Sequence, residues 1–176
     1  EMPVPTLIPV GTTADDAELL VELESSCVVT VSGPRDETIG LLRAIAVAAA
    51  TAPWSEQSRT LLVGMDGELT ELPWVSQTDQ LAAALTAAEE HVDRTAAALW
   101  ALRCQNTAQA RAAGVTPEEC EPLVVAVALR PDDRAEHQRL GALSGRPHSA
   151  VAVVTPSAEG AMPVGRRFTI GDDGWL

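Results

Sequence analysis

The 176-residue sequence contains no lysine and no tyrosine, and its aromatic residues are one phenylalanine and four tryptophans. All twelve basic residues are therefore arginines, and they stand against 25 acidic residues, so the formal net charge is −13. A charge of this sign repels phosphate backbones and anionic lipids. We therefore expect no direct nucleic-acid binding and no membrane contact by this segment.

Long apolar runs and paired cysteines are also missing. No run of about 18 apolar residues occurs, so no membrane-spanning helix is predicted. Cys27, Cys104 and Cys120 form no C-x-x-C pair, which argues against a disulfide framework and against a zinc site. This usage is typical of a reducing compartment, so we expect a cytoplasmic location, with any membrane tether supplied by a longer parent protein. Neither a metal nor a cofactor is predicted.

Apolar segments indicate the strands. Four of them are nearly continuous, as in parallel strands covered on both faces, and they span residues 27–31, 59–65, 123–129 and 149–155. Residues 17–24 mix acids with Leu and Val, which predicts a half-exposed strand. Residues 164–170 alternate and precede the turn-forming residues 171–174, so we predict an edge hairpin at the C-terminus.

Helices are predicted between the strands. One spans residues 38–52, one spans residues 132–143, and the forty residues between Pro73 and Gly114 hold a long helix, a break at 104–107 and a short helix ending near 113. The long helix carries an apolar stripe at four- and three-residue steps: Leu81, Leu85, Ala88, Val92, Thr95, Leu99 and Leu102. The stripe is either the seam of a weak homodimeric coiled coil or a face packed on the sheet. We favour packing, because the pattern holds for only three heptads.

Strands that alternate with helices predict an α/β fold, a three-layer αβα sandwich with a mostly parallel sheet. The length and the 46% hydrophobic content suit one domain over residues 1–176. The chain begins and ends in mid-pattern, so we expect a domain excised from a larger protein.

The first candidate site follows the strand at 27–31, because ligands of such sheets bind beyond the carboxyl ends of the strands. It comprises Gly33, Pro34, Arg35, Asp36, Glu37, Thr38, Ile39 and Gly40. A Gly-led loop between a strand and a helix is where phosphates are cradled. Counted from Gly33, the P-loop consensus requires Gly at 38, Lys at 39 and Ser or Thr at 40, and none is present.

Charge also argues against a phosphate at this loop. Asp36 and Glu37 stand where the phosphates would bind, and Arg35 is the only compensating charge. Repulsion between close unit charges is on the order of a kcal/mol or more near a protein surface. The segment is therefore predicted to be a degenerate loop, and no cofactor-binding residue is expected. If a ligand does bind to this chain, this loop is the candidate site.

The second half of a nucleotide site would lie at the end of the strand at 123–129. Nucleotide hydrolases place an Asp, often followed by a Glu, at this point to hold Mg²⁺ and activate water. Here the strand ends in Ala128, Leu129 and Arg130. Asp132 and Asp133 follow, and we interpret them as a helix N-cap and a first-turn acid. The sequence thus predicts no catalytic residue and no nucleotide hydrolysis.

Histidines and tryptophans supply the remaining candidates. His91 and His137 lie in charged helical stretches, so we expect both on solvated faces. His148, at the start of a strand, is the better candidate for chemistry, although a structural role is favoured. Trp54 and Trp74 flank the strand at 59–65 and are predicted to cover its ends; an exposed pair would instead indicate a partner surface.

The order of these segments resembles the motor domain of FtsK/SpoIIIE-type ATPases, particularly the tandem modules of type VII secretion ATPases. The matching segments are residues 7–11, 20–23, 27–33, 41–44 and 123–129, and residues 148–155 resemble the later sensor strand of that family. The chain is most similar to the catalytically degenerate version in large actinobacterial proteins that combine membrane segments and a LysM domain with a BTAD-type transcriptional-activator region. The lysine-free, Ala- and Arg-rich composition suits a GC-rich genome.

This resemblance implies a P-loop NTPase-like fold and a pseudo-ATPase module inside a transcriptional regulator. The expected function is regulatory or scaffolding, through protein–protein interaction with other domains or subunits of the parent protein. The alternative is a ligand-sensing domain that binds a small molecule or nucleotide at the degenerate loop through backbone N–H groups and Arg35. Direct DNA binding is disfavoured by the net charge of −13.

Overall fold

The computed structural model describes residues 6–13, 15–52, 58–65, 68–114, 118–131, 133–157 and 164–171. The strands in these ranges are β1 (Leu7–Thr12), β2 (Glu18–Glu22), β3 (Val28–Ser32), β4 (Arg59–Val63), β5 (Val75–Thr78), β6 (Leu123–Val127), β7 (Val151–Pro156) and β8 (Arg166–Thr169). The helices are α1 (Arg35–Thr51), α2 (Leu81–Leu102), α3 (Thr107–Ala112) and α4 (Arg134–Ser144), with short 3-10 helices at Glu68–Glu71 and Glu118–Cys120.

Six strands form one sheet in the order β5-β4-β6-β7-β3-β8, and every neighbouring pair is parallel. Helix α1 packs on one face, and α2 and α4 pack near the other. The antiparallel hairpin β1–β2 forms a separate two-stranded sheet that packs against α1. The predicted α/β sandwich with a mostly parallel sheet is confirmed.

The central strands are apolar at successive positions because both of their faces are buried. In β3, Val29 and Val31 lie in the core with Leu42 of α1, whereas Val28 lies in the opposite core with Leu85 of α2. Each of these five side chains is 0% exposed. The continuous runs in the sequence therefore reflect two cores separated by one sheet.

The first part of the stripe on α2 faces the sheet, since Leu81, Leu85, Ala88 and Val92 lie in the core that α2 shares with the strands. Thr95 and Leu99 are also buried, but Leu99 packs with Ala110 and Cys120, and Leu102 is half-buried. The packing interpretation is therefore confirmed for the part of the stripe that meets the sheet. The predicted break is also present, since α2 ends at Leu102, Arg103 adopts a left-handed backbone and α3 begins at Thr107.

The C-terminal strand lies at the sheet edge as predicted, and the second strand of the predicted hairpin falls on residues outside the described ranges. Strand β8 runs parallel to β3, with Val29 opposite Arg166. Gly165 permits this approach, since its φ is 71° and a Cβ there would overlap the carbonyl oxygen of Val28. The predicted turn continues into residues 172–174, which lie outside the described residues.

A buried carboxylate fixes the amino-terminal end of the sheet. Glu24 precedes β3, is 0% exposed, and forms an ion pair with Arg111 of α3 at 2.8 Å between Oε2 and Nη1. Its Oε1 accepts hydrogen bonds from the Thr107 hydroxyl and from the Ala150 N–H, the latter at 2.9 Å. Arg111 also donates to the Cys120 carbonyl oxygen at 3.0 Å. One carboxylate thus joins α3 and the segments leading into β3 and β7.

The backbone around this carboxylate bends sharply. Cys27, His148 and Ala150 have φ values of 54°, 55° and 59°. Residues other than glycine rarely adopt this left-handed backbone conformation. The bends bring the His148 N–H to the Glu24 carbonyl oxygen at 3.0 Å and the Val153 N–H to the Cys27 carbonyl oxygen at 2.6 Å. The hydrogen bonds of this network offset the strain in its backbone.

Replacing Glu24 by Gln should destabilise the fold by about 3–5 kcal/mol, because it leaves the Arg111 charge buried without a counterion. The matched control is Glu90→Gln, which removes the exposed pair between Glu90 and Arg94 at 3.9 Å and should cost no more than about 0.5 kcal/mol. Urea unfolding followed by circular dichroism measures both. Equal losses in the two variants would contradict a structural role for the buried pair.

Candidate functional site

The first turns of α1 and the carboxyl ends of β6 and β7 border a cavity of about 540 Å³. Its volume lies within the range of small-molecule sites, and its position is where parallel sheets bind ligands. The described residues that line it are Arg35, Thr38, Ile39, Ala128, Leu129, Arg130 and Pro156.

The connection from β3 to α1 is much shorter than a phosphate-cradling loop. Strand β3 ends at Ser32 and α1 begins at Arg35, so only Gly33 and Pro34 lie between them. We expected the helix to begin at residue 38, and this prediction is wrong by three residues. The proline fixes its own φ at −55°, and the acids that follow it suit the positive end of a helix.

Gly33 is required by close packing. Its φ is 153°, and a Cβ there would lie 2.8 Å from the Ile170 Cβ and 3.0 Å from the Ile170 carbonyl oxygen. The Ile170 N–H in turn donates to the Ser32 carbonyl oxygen at 2.8 Å. Ile170, which follows β8, therefore packs against Gly33 and leaves no room for a side chain at this position.

The remaining six residues of the predicted loop are helical. Arg35, Thr38 and Ile39 line the cavity, whereas Asp36, Glu37 and Gly40 are exposed and are not among its lining residues. The two acids are thus first-turn residues of α1. The prediction that they stand where phosphates would bind assumed an open loop at these residues, whereas the residues are helical.

Near the start of α1, the helix N-terminus has no side-chain cap and the Thr38 hydroxyl has no hydrogen-bond partner among the described residues. Pro34 gives the helix no side-chain cap, and the first intrahelical bond runs from the Thr38 N–H to the Pro34 carbonyl oxygen at 3.0 Å. The preceding N–H groups lie at the positive end of the helix dipole. Thr38 itself is 5% exposed, and its Oγ1 has no hydrogen-bond partner among the described residues.

The wall formed by β6 is apolar and basic. The Ala128 N–H continues the sheet by donating to the Val63 carbonyl oxygen at 2.9 Å. Leu129 sits over Gly64, where a Cβ would lie 2.6 Å from the Leu129 Cγ. Arg130 follows and lines the cavity. The described lining residues therefore include no carboxylate that could hold a divalent cation.

Only part of this wall was predicted. Ala128, Leu129 and Arg130 stand out in the sequence because no acidic residue is among them, whereas Pro156 was not predicted. These residues could have been found from their position in the sequence, since each one ends a buried parallel strand or lies shortly after one. Asp133, predicted to be a first-turn acid, is instead the N-cap of α4, where it accepts the Ala135 N–H at 3.0 Å. Asp132 lies outside the described residues.

The histidines lie away from the cavity. His148 precedes β7 at the opposite, amino-terminal end of the sheet, where its Nδ1 is 3.6 Å from the Glu22 Oε1. His137 is half-buried on α4. The expectation of a solvated His91 is wrong, because it is 1% exposed and its Nε2 is 2.8 Å from the Glu121 carbonyl oxygen. The carbonyl requires the proton on Nε2, and burial lowers the His91 pKa.

Among the tryptophans, Trp74 packs against the core and its indole N–H donates to the Ala50 carbonyl oxygen at 2.8 Å. Trp100 on α2 is 84% exposed. Trp54 and Trp175 lie outside the described residues, so the predicted covering of the strand by Trp54 stays a prediction.

The described residues contain no group of three or more His, Cys, Asp and Glu side chains that could hold a metal ion. Cys27, Cys104 and Cys120 are free thiols, and burial raises the pKa of the Cys27 thiol to about 11. Within the described ranges, none of the helices has the length and apolar character needed to cross a bilayer.

No protein-family model and no curated protein matches this chain. Solved structures do match. The pCW3 conjugation coupling protein TcpA, in its monomer form with ATPγS, has a TM-score of 0.57 and 15% identity over 88% of this chain and 48% of its own. The cytoplasmic domain of the Thermomonospora curvata type VII secretion ATPase EccC has a TM-score of 0.54 and 19% identity over 89% of this chain and 22% of its own.

A third match is EssC (ATPases 2 and 3) from Geobacillus thermodenitrificans, with a TM-score of 0.56 and 10% identity over 95% of this chain and 38% of its own. This chain therefore spans less than half of each of these three structures. At such identities the likeness establishes the fold, which is that of P-loop ATPase domains. It agrees with the fold implied by the sequence resemblance.

Replacing Gly33 by Ala should destabilise the protein by about 2 kcal/mol, because the added Cβ meets the Ile170 backbone and side chain. Gly40→Ala is the matched control, since a Cβ at this helical position would meet nothing within 4 Å and should stabilise α1 by about 0.5–1 kcal/mol. Thermal unfolding of both variants tests whether Gly33→Ala lowers the stability and Gly40→Ala raises it. A Gly33→Ala protein as stable as wild type would contradict the close approach.

His91 should make stability pH-dependent. A lowered native pKa means that the unfolded chain binds more protons, so stability from His91 is fully present above about pH 6.5 and is lost as the pH falls below it. His91→Gln keeps a donor for the Glu121 carbonyl oxygen but does not titrate. The wild type should therefore lose more stability than the variant between pH 7.5 and pH 5.5 in urea unfolding, and equal losses would contradict the assignment.

Proposed function

We propose that this chain is a non-catalytic pseudo-ATPase module with a regulatory or scaffolding role in a larger protein. The observation that carries the proposal is the two-residue connection between β3 and α1. A phosphate-cradling loop needs several consecutive backbone N–H groups arranged around the anion. Gly33 and Pro34 supply at most one such group, because proline has no N–H.

The opposite wall supports the same proposal. A nucleotide hydrolase needs a carboxylate to hold Mg²⁺ and a group that activates water. The described part of this wall presents Ala128, Leu129 and Arg130 to the cavity. Leu129 is moreover packed over Gly64, so its position is occupied by an apolar side chain that belongs to the fold.

Interaction with other domains or subunits of the parent protein is the role that we assign to such a module. The parent would be a cytoplasmic or membrane-tethered actinobacterial transcriptional regulator with LysM and BTAD-type regions, as the sequence resemblance implies. The exposed Trp100, at 84% of its surface, supports an interaction role, because large aromatic side chains are frequent anchors of protein interfaces.

A coupled ATPase assay tests the absence of catalysis. We expect turnover with ATP and Mg²⁺ to be indistinguishable from buffer. The triple variant Thr38→Gly, Ile39→Lys, Gly40→Thr restores the consensus residues and should also be inactive, because it does not lengthen the connection. Mg²⁺-dependent hydrolysis by the wild type that co-elutes with the protein would overturn the proposal.

The cavity itself favours a second candidate function, a ligand sensor. Arg35, Thr38 and Arg130 line a space of about 540 Å³ that is large enough for a small molecule. A ligand at one hundred times its dissociation constant should raise the melting temperature by about 5–10 °C. Differential scanning fluorimetry with nucleotides and cyclic dinucleotides, each with and without Mg²⁺, separates a sensor from a module that only binds protein.

A further inference from the structure

We propose that the outer edge of β2 binds an extended segment of a partner protein as an added strand, and that this segment alternates basic and apolar residues. The inference rests on the proposed protein-interaction role and names the surface and the class of partner that the role would use. The non-catalytic character of the module is independent of it.

The hairpin β1–β2 has an open edge. Strand β1 packs against α1, whereas β2 pairs with no strand other than β1 among those described. In the turn before β2, the Thr13 N–H donates to the Ala17 carbonyl oxygen at 2.8 Å, and the Ala17 N–H donates to the Thr13 Oγ1 at 3.1 Å. At the other end, the Ser25 hydroxyl donates to the Glu22 carbonyl oxygen at 2.8 Å. The edge is therefore short and is formed before any partner binds.

Hydrogen bonds to β1 fix which residues of β2 face this edge. At one end they involve Ala17, and at the other end the Leu23 N–H donates to the Thr6 carbonyl oxygen at 3.1 Å. Bonded residues alternate along an antiparallel strand, so here they are the odd-numbered ones. The bulge of this hairpin lies in β1 and does not change the alternation in β2. Glu18 and Leu20 therefore direct their backbone N–H and C=O groups away from β1, toward the open edge.

The side chains of β2 give the edge an apolar centre. Val21 and Leu23 are buried in the core that includes α1, so the odd-numbered side chains face the helix. Leu20, on the opposite face, is 44% exposed, and Leu19 is 36% exposed. A strand added at this edge would pack beside both leucines and remove apolar surface from water.

Acidic side chains flank this centre. Glu18 and Glu22 lie on the same face as Leu20, one on each side of it, and Asp16 precedes the strand. Asp16 and Glu18 are exposed and form no ion pair within the described part of the chain. The Glu22 Oε1 is 3.6 Å from the His148 Nδ1, and this pair is charged on both sides only when the histidine is protonated. Opposite charges stabilise cross-strand pairs, so the strand that suits this edge has an apolar residue opposite Leu20 and a basic residue two positions to either side.

Charge argues against a second copy of this chain as the occupant. Antiparallel pairing of two β2 strands about Leu20 would place Glu18 of each copy opposite Glu22 of the other, and like charges in such pairs are destabilising. Each chain also has a formal net charge of −13. The acids thus keep identical edges apart and leave the edge open to a basic strand.

An NMR titration of the isotope-labelled protein with three synthetic peptides, each capped at both ends, tests the occupant. The first peptide is Lys-Thr-Val-Thr-Lys, the second replaces both lysines by glutamates, and the third is the first with its central amides N-methylated. We expect the first to bind about fivefold more tightly than the second, or better, and the third not to bind, because it cannot donate hydrogen bonds to the edge.

Equal affinities for the basic and acidic peptides would overturn the proposal, and so would binding of the N-methylated peptide. Binding of none of the three at millimolar concentration would overturn it as well, because the acids would then serve only to keep the edge unpaired.

Amide hydrogen exchange locates the bound strand. The Leu20 N–H faces the open edge, whereas the Val21 N–H bonds to β1. Saturation with the basic peptide should slow exchange at Leu20 by about tenfold or more and leave Val21 unchanged. Binding without protection of Leu20 would place the peptide elsewhere and contradict the site. Protection of Leu20 that rises with protein concentration, without peptide, would assign the edge to a second copy and overturn the proposal.

Two variants with the same change in net charge separate this edge from the overall field of the protein. Glu18→Lys should weaken the basic peptide by about fivefold and strengthen the acidic one. Glu90→Lys makes the same change on an exposed position of α2, which packs on the other core from the hairpin, and should change both affinities by less than about twofold. Equal weakening of the basic peptide by the two variants would contradict a site at β2.

These outcomes are separable from those of the ATPase assay. Failure of the peptides together with absent ATP hydrolysis removes only this surface and leaves the pseudo-ATPase module intact. Mg²⁺-dependent ATP hydrolysis overturns the proposed function whatever the titration shows. The melting temperature of each variant identifies loss of binding that arises from loss of folding.

Discussion

The buried carboxylate of Glu24 is the constraint on which the sheet depends. It has no access to water, and its oxygens are satisfied by Arg111, Thr107 and Ala150. These partners lie far from Glu24 in the sequence, on α3 and before β7, so the carboxylate can be buried only when both segments are in place. A buried ion pair of this kind adds little net stability over an apolar substitute. Removing one partner is strongly destabilising, however, because it leaves the other charge buried and uncompensated. It therefore selects one arrangement of the elements around it.

The two ends of the sheet are consequently different in character. The amino-terminal end is closed by the Glu24 network, with its left-handed residues and satisfied polar groups. The carboxyl-terminal end borders an open cavity, where the Thr38 hydroxyl has no described partner. Rigidity at one end positions the strands that frame the other. Any ligand of the cavity meets a site whose walls are already held in place.

The four interior strands of the sheet were predictable from the sequence because apolar continuity follows directly from burial on both faces, whereas the edge strand β5 was not predicted. The runs at β3, β4, β6 and β7 needed no further information, and the break after α2 followed from weak helix formers. The short connection at Gly33 was not predictable, because a strand–glycine–helix pattern fits a long loop as well as a tight turn. The burial of His91 was missed for a similar reason. Its charged neighbours on α2 indicate solvent, whereas its hydrogen bond to the Glu121 carbonyl oxygen depends on the distant chain.

The strand order has a consequence for synthesis of the chain on a ribosome. Strand β3 is among the first strands to emerge, yet both of its neighbours, β7 and β8, come from the last part of the sequence. Until they are made, β3 presents two unpaired edges and two apolar faces. Pairing of such sequence-distant strands is slow, and the nascent chain is exposed to association with other chains during this interval. Completion of the sheet, and with it the cavity, therefore waits until β7 and β8 have been synthesised.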